Sequence, residues 1–347
     1  MGTALASLLL FWLAGADGDA QSHPPSPLPV HVGGRTIETA EGGHRFGWPG
    51  VYIEGRFHGS SVRVRFDAPH DHVRLSIDGV ESRLFEAPGP VDLDISGLTE
   101  GEHVIRLDKL TESQTGHSRF IAFETVGTPL SPQPRTRQIE FIGDSFSVGY
   151  GNLSNSPDCT GADVHALTDT SRAFGPLTAA ALDADYRINA FSGFGMVRNY
   201  EGRVPGESLP RLYPRAIPGE PAPETADPHW SPQWIVINLG TNDFSTGVRP
   251  GEAWPDAAAL KAAYRDRYAG FVQSLAARHP GAQFILMGAD PFFADVERVV
   301  PMLPRPLSAR VRTLRFSGLD LRGCHGHPSA SDHRTLAAML LKLVAPR

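Results

Sequence analysis

No apolar stretch in the sequence is long enough to cross a bilayer, no run of lysine or arginine occurs, and only two of its 347 residues are cysteine. The 32 basic residues face 38 acidic ones, a net charge of −6, so the positive face that nucleic acid requires is missing. No nucleic-acid partner is expected. The longest apolar run, Ala4 to Ala16, is too short for a membrane span but has the length of a secretory signal core. Small-residue cleavage candidates follow at Ala14-Gly15-Ala16 and Gly18-Asp19-Ala20, although no Lys or Arg precedes the run. Residues 1–20 are therefore expected to be a signal peptide and the protein to be secreted or periplasmic, free of the membrane once processed. The two cysteines, Cys159 and Cys324, read as one disulfide in an exported chain and as two unrelated buried thiols in a cytosolic one.

What is present suffices for two domains. Hydrophobic residues make up 41% and charged residues 20%, which supports sizeable cores and excludes a disordered chain. The stretch HPPSPLP (23–29) reads as extended and unpacked. From 30 to 127 the pattern is strand-like: Val62, Val64 and Phe66 alternate with Arg63 and Arg65, and Val73, Leu75 and Ile77 run into the hairpin signal Asp78-Gly79. Val91, Leu93 and Ile95 alternate with Asp92 and Asp94, and Ile105 with Leu107 and FIAFETV (120–126) complete the set. Short strands separated by turns predict a β-sandwich, in which no cluster of reactive side chains stands out.

GTPLSPQPRTRQ (127–138) lacks periodicity and reads as a linker over 128–138, so the second domain is expected over 139–347. There, strands at 139–143, 186–191, 234–240 and 283–289 alternate with helices at 171–184, 256–279 and 331–344. Such alternation predicts an α/β domain, a parallel sheet covered by helices on both faces, with its ligand beyond the carboxyl ends of the strands. The residues at those ends are Gly143-Asp144-Ser145, then Ser192-Gly193-Phe194-Gly195, then Gly240-Thr241-Asn242-Asp243. Cys324-His325-Gly326-His327-Pro328 lies just ahead of the last helix.

Those residue types suit acyl transfer. A serine hydroxyl needs a base to take its proton, and His327 is placed to act on Ser145. A tetrahedral oxyanion needs fixed donors, which the backbone N–H groups of Ser145 and Gly193 and the Asn242 amide can supply. Gly195 competes with Gly193 for that part; Gly193 is preferred because it follows Ser192. Asp144 and Asp243 are read as structural. Taken singly, Ser145 reads rather as a helix N-cap, and only the other segments turn it into a nucleophile; for Asn242 an Asx turn is the lesser reading. His325 and His333 compete with His327, but His333 falls inside the last helix, after a Ser329-x-x-Asp332 capping box, and is expected to face solvent. His325-x-His327 and His70-x-His72 lack a third ligand, so neither a metal nor another cofactor is expected. Core packing is expected for most of Trp48, Trp230, Trp234 and Trp254, although such rings also stack on sugars.

The four strand-end segments resemble the blocks of the SGNH (GDSL-type) hydrolases. With a sandwich ahead of them, and with IEFIGDSFSVGYGN (139–152), INLGTNDFS (237–245), GWPGVYIEGRF (47–57), EHVIRLDKLTE (102–112) and a Gly-Cys ahead of the His-Pro, the chain resembles carbohydrate esterase family 2, which implies that the sandwich is jelly-roll-like. The resemblance implies a deacetylase of O-acetylated polysaccharides or oligosaccharides, often at the primary 6-position, working through a Ser–His dyad. One departure from the wider superfamily stands out: Cys324 occupies the place, three residues before His327, where an aspartate usually orients the imidazole. The expected partner is instead a backbone carbonyl near Cys324 or a residue the sequence does not place, since Asp332 lies on the wrong side. Pairing of Cys324 with Cys159 would tie the histidine loop to the serine loop. The alternatives are a GDSL-type lipase or thioesterase for longer acyl chains, or a carbohydrate-binding protein without turnover.

Overall fold

The computed structural model describes residues 24–221 and 227–344, so the expected signal peptide lies outside the described residues. Ten strands form one antiparallel sheet: β1 (Ser26–Pro27), β2 (Val30–Gly33), β3 (Ile37–Glu38), β4 (His44–Phe46), β5 (Tyr52–Ala68), β6 (His72–Ile77), β7 (Val80–Glu86), β8 (Gly89–Lys109), β9 (Ser118–Thr125) and β10 (Thr128–Leu130). β5 and β8 pair along nearly their whole length, with a register slip between Gly59 and Ser61. Before the slip, β5 is flanked by β2 and β10; beyond it, by β9. Its two halves thus belong to different layers of a folded-over sheet, and Phe57, Val64, Phe66, Leu75, Ile105 and Phe123 fill the space between them. The alternation read from sequence caught fragments of these long strands, because a bend at glycine interrupts the pattern without ending the pairing. Asp78-Gly79 makes the tight hairpin expected, with φ of 53° and 77°.

Two segments expected to lie outside the sheet belong to it. β1 pairs with β9 and Leu28 is buried, although 23–29 reads as unpacked; Thr128–Leu130, read as linker, pairs with β5. Proline is tolerated in both because they lie at strand edges, where a missing N–H costs no central ladder bond.

The second sheet is parallel throughout, with the spatial order β12 (Ala184–Ala190), β11 (Arg137–Gly143), β13 (Trp234–Asn238), β14 (Gln283–Ala289), β15 (Val311–Phe316). Its side chains sort by parity. Ile235, Ile237, Phe284 and Leu286 face one core with α5 (Ala257–Arg278), while Val236, Ile285 and Met287 face the other with α3 (Phe174–Ala181) and α8 (Ala330–Val344). Asp256 caps α5 by accepting from Ala259 N–H at 2.8 Å. Short helices α1 (Ser145–Val148), α2 (Gly161–Ala166), α4 (Leu209–Leu212), α6 (Phe293–Glu297) and α7 (Arg305–Ser308) occupy the connections.

The capping box ahead of α8 forms: Ser329 Oγ accepts from Asp332 N–H at 3.2 Å, and Asp332 accepts from Ser329 N–H at 3.0 Å. His333, expected to face solvent, is instead fully buried. Its Nδ1 accepts from Phe174 N–H at 3.2 Å, and its ring stacks on Phe174, because the face of α8 that carries it packs on α3. Burial pushes its pKa down to about 3, so it stays neutral. The first domain is locked to the second by buried polar contacts. Arg35 pairs with Glu140 at 3.1 Å, and the Tyr52 hydroxyl donates to Asp185 at 2.6 Å.

Candidate active site

β11 lies between β12 and β13, and Gly143 is in register with Ala190 on one side and Asn238 on the other. The residues that follow all three strands therefore emerge side by side on one rim, where ligands bind in parallel α/β sheets. Ser145 opens α1, its N-cap Asp144 accepting from Phe146 N–H at 3.0 Å. The first turn of a helix leaves its N–H groups without intrahelical partners, so the Ser145 amide is free to face the rim. Ser145, only 5% exposed, lies at the base of a cavity of about 460 Å³ whose wall includes Tyr150, Gly193, Tyr200, Asn242, His325 and His327.

His327 Nε2 lies 2.8 Å from Ser145 Oγ, and Nδ1 lies 2.9 Å from the Cys324 carbonyl. A carbonyl only accepts, so Nδ1 carries the proton and Nε2 presents its lone pair to the serine hydroxyl. The orienting partner is thus a backbone carbonyl, one of the two possibilities left by the sequence. His325 and Gly326, at φ of 54° and 73°, turn the chain back so that the imidazole reaches the carbonyl three residues before it. The rings of Phe146 and Tyr150 flank the imidazole, at centroid distances of 5.5 and 4.4 Å. Burial, with the neighbouring His325 adding to it, pushes the His327 pKa down to about 4.

His325 takes another part. Its Nε2 donates to the Cys159 carbonyl at 2.8 Å, which leaves Nδ1 to accept from the Tyr150 hydroxyl at 3.0 Å. Cys159 and Cys324 are joined by a disulfide that spans 165 residues, and Cys324 N–H donates to Gly151 O at 3.2 Å. The loop after α1 and the loop carrying His327 are therefore joined by a covalent bond and by hydrogen bonds on both sides of it. In the chain-entropy account, closing so long a loop contributes about 5 kcal/mol. Replacing both cysteines with serine is expected to lower the melting temperature and to reduce kcat about tenfold, with KM nearly unchanged, as His327 loses its fixed support. Calorimetry and steady-state kinetics on the double variant check this; wild-type kcat after loss of the bridge would show that the disulfide serves stability alone.

Asn242 is 4% exposed, and its Nδ2 donates to Phe194 O at 2.9 Å, leaving the second hydrogen only a long contact of 3.3 Å with Asp144. Gly193 sits at φ +83°, a conformation that L side chains avoid, and a Cβ there would point into open space. Gly195 differs. Its N–H is committed to Asn199 Oδ1 at 3.1 Å, and a Cβ would lie 2.2 Å from Arg198 O, so its smallness serves packing. That close approach is set by Asp243, which accepts from Met196, Val197 and Arg198 N–H at 2.8, 2.8 and 3.0 Å. Burial raises both aspartates, Asp144 to about 7, with the charge of Asp243 adding to the effect, and Asp243 to about 6. Their contacts are structural, as the sequence reading has it.

The sequence reading missed the first domain's share of the site. The loop after β8 reaches the rim, where Glu112 accepts from Ser192 N–H at 2.7 Å and Gln114 donates to Ser192 O at 3.3 Å. The segment ending at Glu112 carries part of the family resemblance, yet nothing in its spacing points to a rim 80 residues further along the chain.

The family model described as carbohydrate esterase 2 N-terminal matches residues 32–134, and that of the GDSL-like lipase/acylhydrolase family matches residues 141–321. The chain is 44% identical over 325 residues to an acetylxylan esterase/glucomannan deacetylase of Cellvibrio japonicus (strain Ueda107), covering 91% of this chain and 90% of the relative. A solved carbohydrate esterase, whose active site displays divergent catalytic and non-catalytic binding functions, superposes with a TM-score of 0.87 at 43% identity, over 92% of this chain and 98% of the other. A family two carbohydrate esterase from Clostridium thermocellum, solved in complex with cellohexaose, gives 0.79 at 27% identity, over 91% and 98%. The two matched domains stand in the order the fold displays, and with them the chain belongs to carbohydrate esterase family 2.

Proposed function

We propose that this carbohydrate esterase removes O-acetyl groups from xylan- or glucomannan-type glycans through a serine acetyl-enzyme, with Ser145 and His327 as a dyad. The observation that carries the reading is the 2.8 Å approach of a neutral, correctly protonated His327 Nε2 to Ser145 Oγ at the base of the cavity. Ser145 Oγ attacks the acetyl carbonyl carbon while Nε2 takes its proton. The N–H groups of Ser145 and Gly193 and the second hydrogen of the Asn242 amide hold the oxyanion. As the C–O bond to the sugar breaks, His327 returns the proton to the departing hydroxyl. Water, or a sugar hydroxyl, then attacks the acetyl-enzyme with the same histidine as base. The imidazolium formed on the way faces the neutral carbonyl of Cys324 rather than a carboxylate.

The activity of the Cellvibrio relative supports acetyl over longer acyl groups, and the cellohexaose complex of the Clostridium esterase supports an extended glycan in the cleft. Tyr150 and Tyr200 supply aromatic faces there, whereas Trp48 is buried in the core. Export is proposed as well, supported by the apolar run at residues 4–16 and by a disulfide suited to an oxidising compartment. The protein is expected to release acetate from acetylated xylan and glucomannan, and to turn over 4-nitrophenyl octanoate about a hundredfold more slowly than the acetate. Equal turnover of the two nitrophenyl esters would favour a lipase or thioesterase instead. An assay on acetylated peptidoglycan, expected to release little acetate, checks the glycan class.

A further inference from the structure

We propose that Glu112 and Gln114, two side chains of the first domain, are positioning residues that align the oxyanion donor Gly193 by gripping both backbone groups of Ser192, an assignment that rests on the reading of Gly193 as such a donor. Glu112 Oε1 accepts the Ser192 N–H at 2.7 Å, and Gln114 Nε2 donates to the Ser192 carbonyl at 3.3 Å. The peptide between Ser192 and Gly193 is planar, and in the trans form its C=O and N–H point in opposite directions. Gln114, which holds the Ser192 carbonyl, therefore fixes the direction of the Gly193 N–H, while Glu112 holds the N–H of the preceding peptide and with it the position of Ser192 from which that plane hangs. Gly193 needs such help on its N-terminal side: its carbonyl is held by Tyr200 N–H at 2.8 Å, but at φ +83° and without a side chain it has nothing of its own to fix the peptide plane before it.

The grip is itself rigid. Thr111 and Ser113, on either side of Glu112, both donate to the buried carboxylate of Asp71, at 3.1 and 2.7 Å. Asp71 also pairs with Lys109 at 2.7 Å and accepts from Ser118 at 2.6 Å, and all of these side chains are buried. With its two neighbours turned toward Asp71, Glu112 projects the other way, toward Ser192. Leu110 O accepts from both the N–H and the hydroxyl of Thr170, at 2.8 and 2.9 Å, which ties the loop to the second domain. Among the described contacts, Glu112 bonds to Ser192 and not to Ser145 or His327. The sheet domain is on this account part of the catalytic apparatus rather than an appended module.

Steady-state kinetics of the full chain on 4-nitrophenyl acetate test this. Glu112→Ala is expected to lower kcat about tenfold with KM within about twofold, because a misdirected donor weakens the transition state more than the ground state. Glu112→Gln, whose Oε1 accepts the same N–H, is expected to recover kcat to within about threefold of wild type. Gln114→Ala is expected to lower kcat about threefold at unchanged KM. Wild-type kcat in Glu112→Ala overturns the proposal. So does an equal loss in Glu112→Ala and Glu112→Gln, which would point to charge, or a change in KM alone, which would point to substrate contact. Should Glu112→Ala fail to fold, Gln114→Ala on its exposed loop decides, wild-type kcat there refuting the two-sided grip. Ser145→Ala is assayed alongside. If it stays active, the reading of the whole site fails; if it is inactive while Glu112→Ala is normal, only the positioning fails.

Discussion

Ser145→Ala is expected to abolish acetate release, with kcat reduced by about 10⁴-fold or more, while the protein keeps its fold and its affinity for glycan. The size follows from the chemistry. Without the hydroxyl no acetyl-enzyme forms, and what remains is the polarising effect of the oxyanion donors on direct attack by water. The structural cost is small. Ser145 is held in α1 by backbone and by the Asp144 cap, and its described side-chain partner is His327 Nε2, which an uncharged imidazole can lose at modest cost. A melting temperature close to wild type is therefore expected. The variant also separates two readings of the cleft. A protein that binds glycan without catalysis would show the same affinity and the same negligible turnover before and after the substitution. An esterase loses only turnover. Full activity of Ser145→Ala on 4-nitrophenyl acetate would remove Ser145 from the mechanism.

The rim was legible because parallel α/β folds present their chemistry where strands end, and this sequence marks three such ends with Gly-Asp-Ser, Ser-Gly and Thr-Asn-Asp. The two aspartates were legible as loop-holders, but only Asp144 is one in the local sense, accepting from Phe146 N–H two residues on; Asp243 reaches across to three N–H groups of the loop after β12, a long-range use that its own segment does not announce. The partner of His327 could only be narrowed. A backbone carbonyl is the same on every residue, so side-chain identities indicate where a carboxylate is missing but not which carbonyl replaces it. β15 (Val311–Phe316) was not read at all. Its two arginines and Thr313 break the apolar run, and as an edge strand it buries fully only Val311 and Phe316. Glu112 was missed because its partner lies in another domain. Charge and hydrophobic period describe a side chain's own element, not the surface on which that element docks. His333 failed for the same reason. Its polarity suggested solvent, and tertiary packing of α8 on α3 overrode it.

His327→Ala is expected to cost kcat about as much as loss of the serine, since the hydroxyl then has no base within reach. The wild-type pH profile is the more telling measurement. The base acts only when neutral, so kcat/KM falls as the pH drops through its pKa. In a site with a carboxylate behind the imidazole, the charged form is favoured and that limb moves upward. Here the group behind Nδ1 is the neutral Cys324 carbonyl, and burial together with the nearby His325 outweighs its help, leaving the pKa at about 4. The acid limb is therefore expected near pH 4, with full activity at pH 6. The same shift acts on stability. Between the ordinary histidine pKa of about 6.5 and the folded value, the unfolded chain binds a proton that the folded one does not. The stabilisation is fully present above about pH 6.5 and is lost as the pH falls toward 4, and the buried His333, at about 3, adds in the same direction. Activity is thus expected to persist into a range where stability is already falling. A kcat/KM midpoint at or above pH 6.5 would mean that a carboxylate reaches the imidazole during turnover, and the dyad would have to be rewritten as a triad.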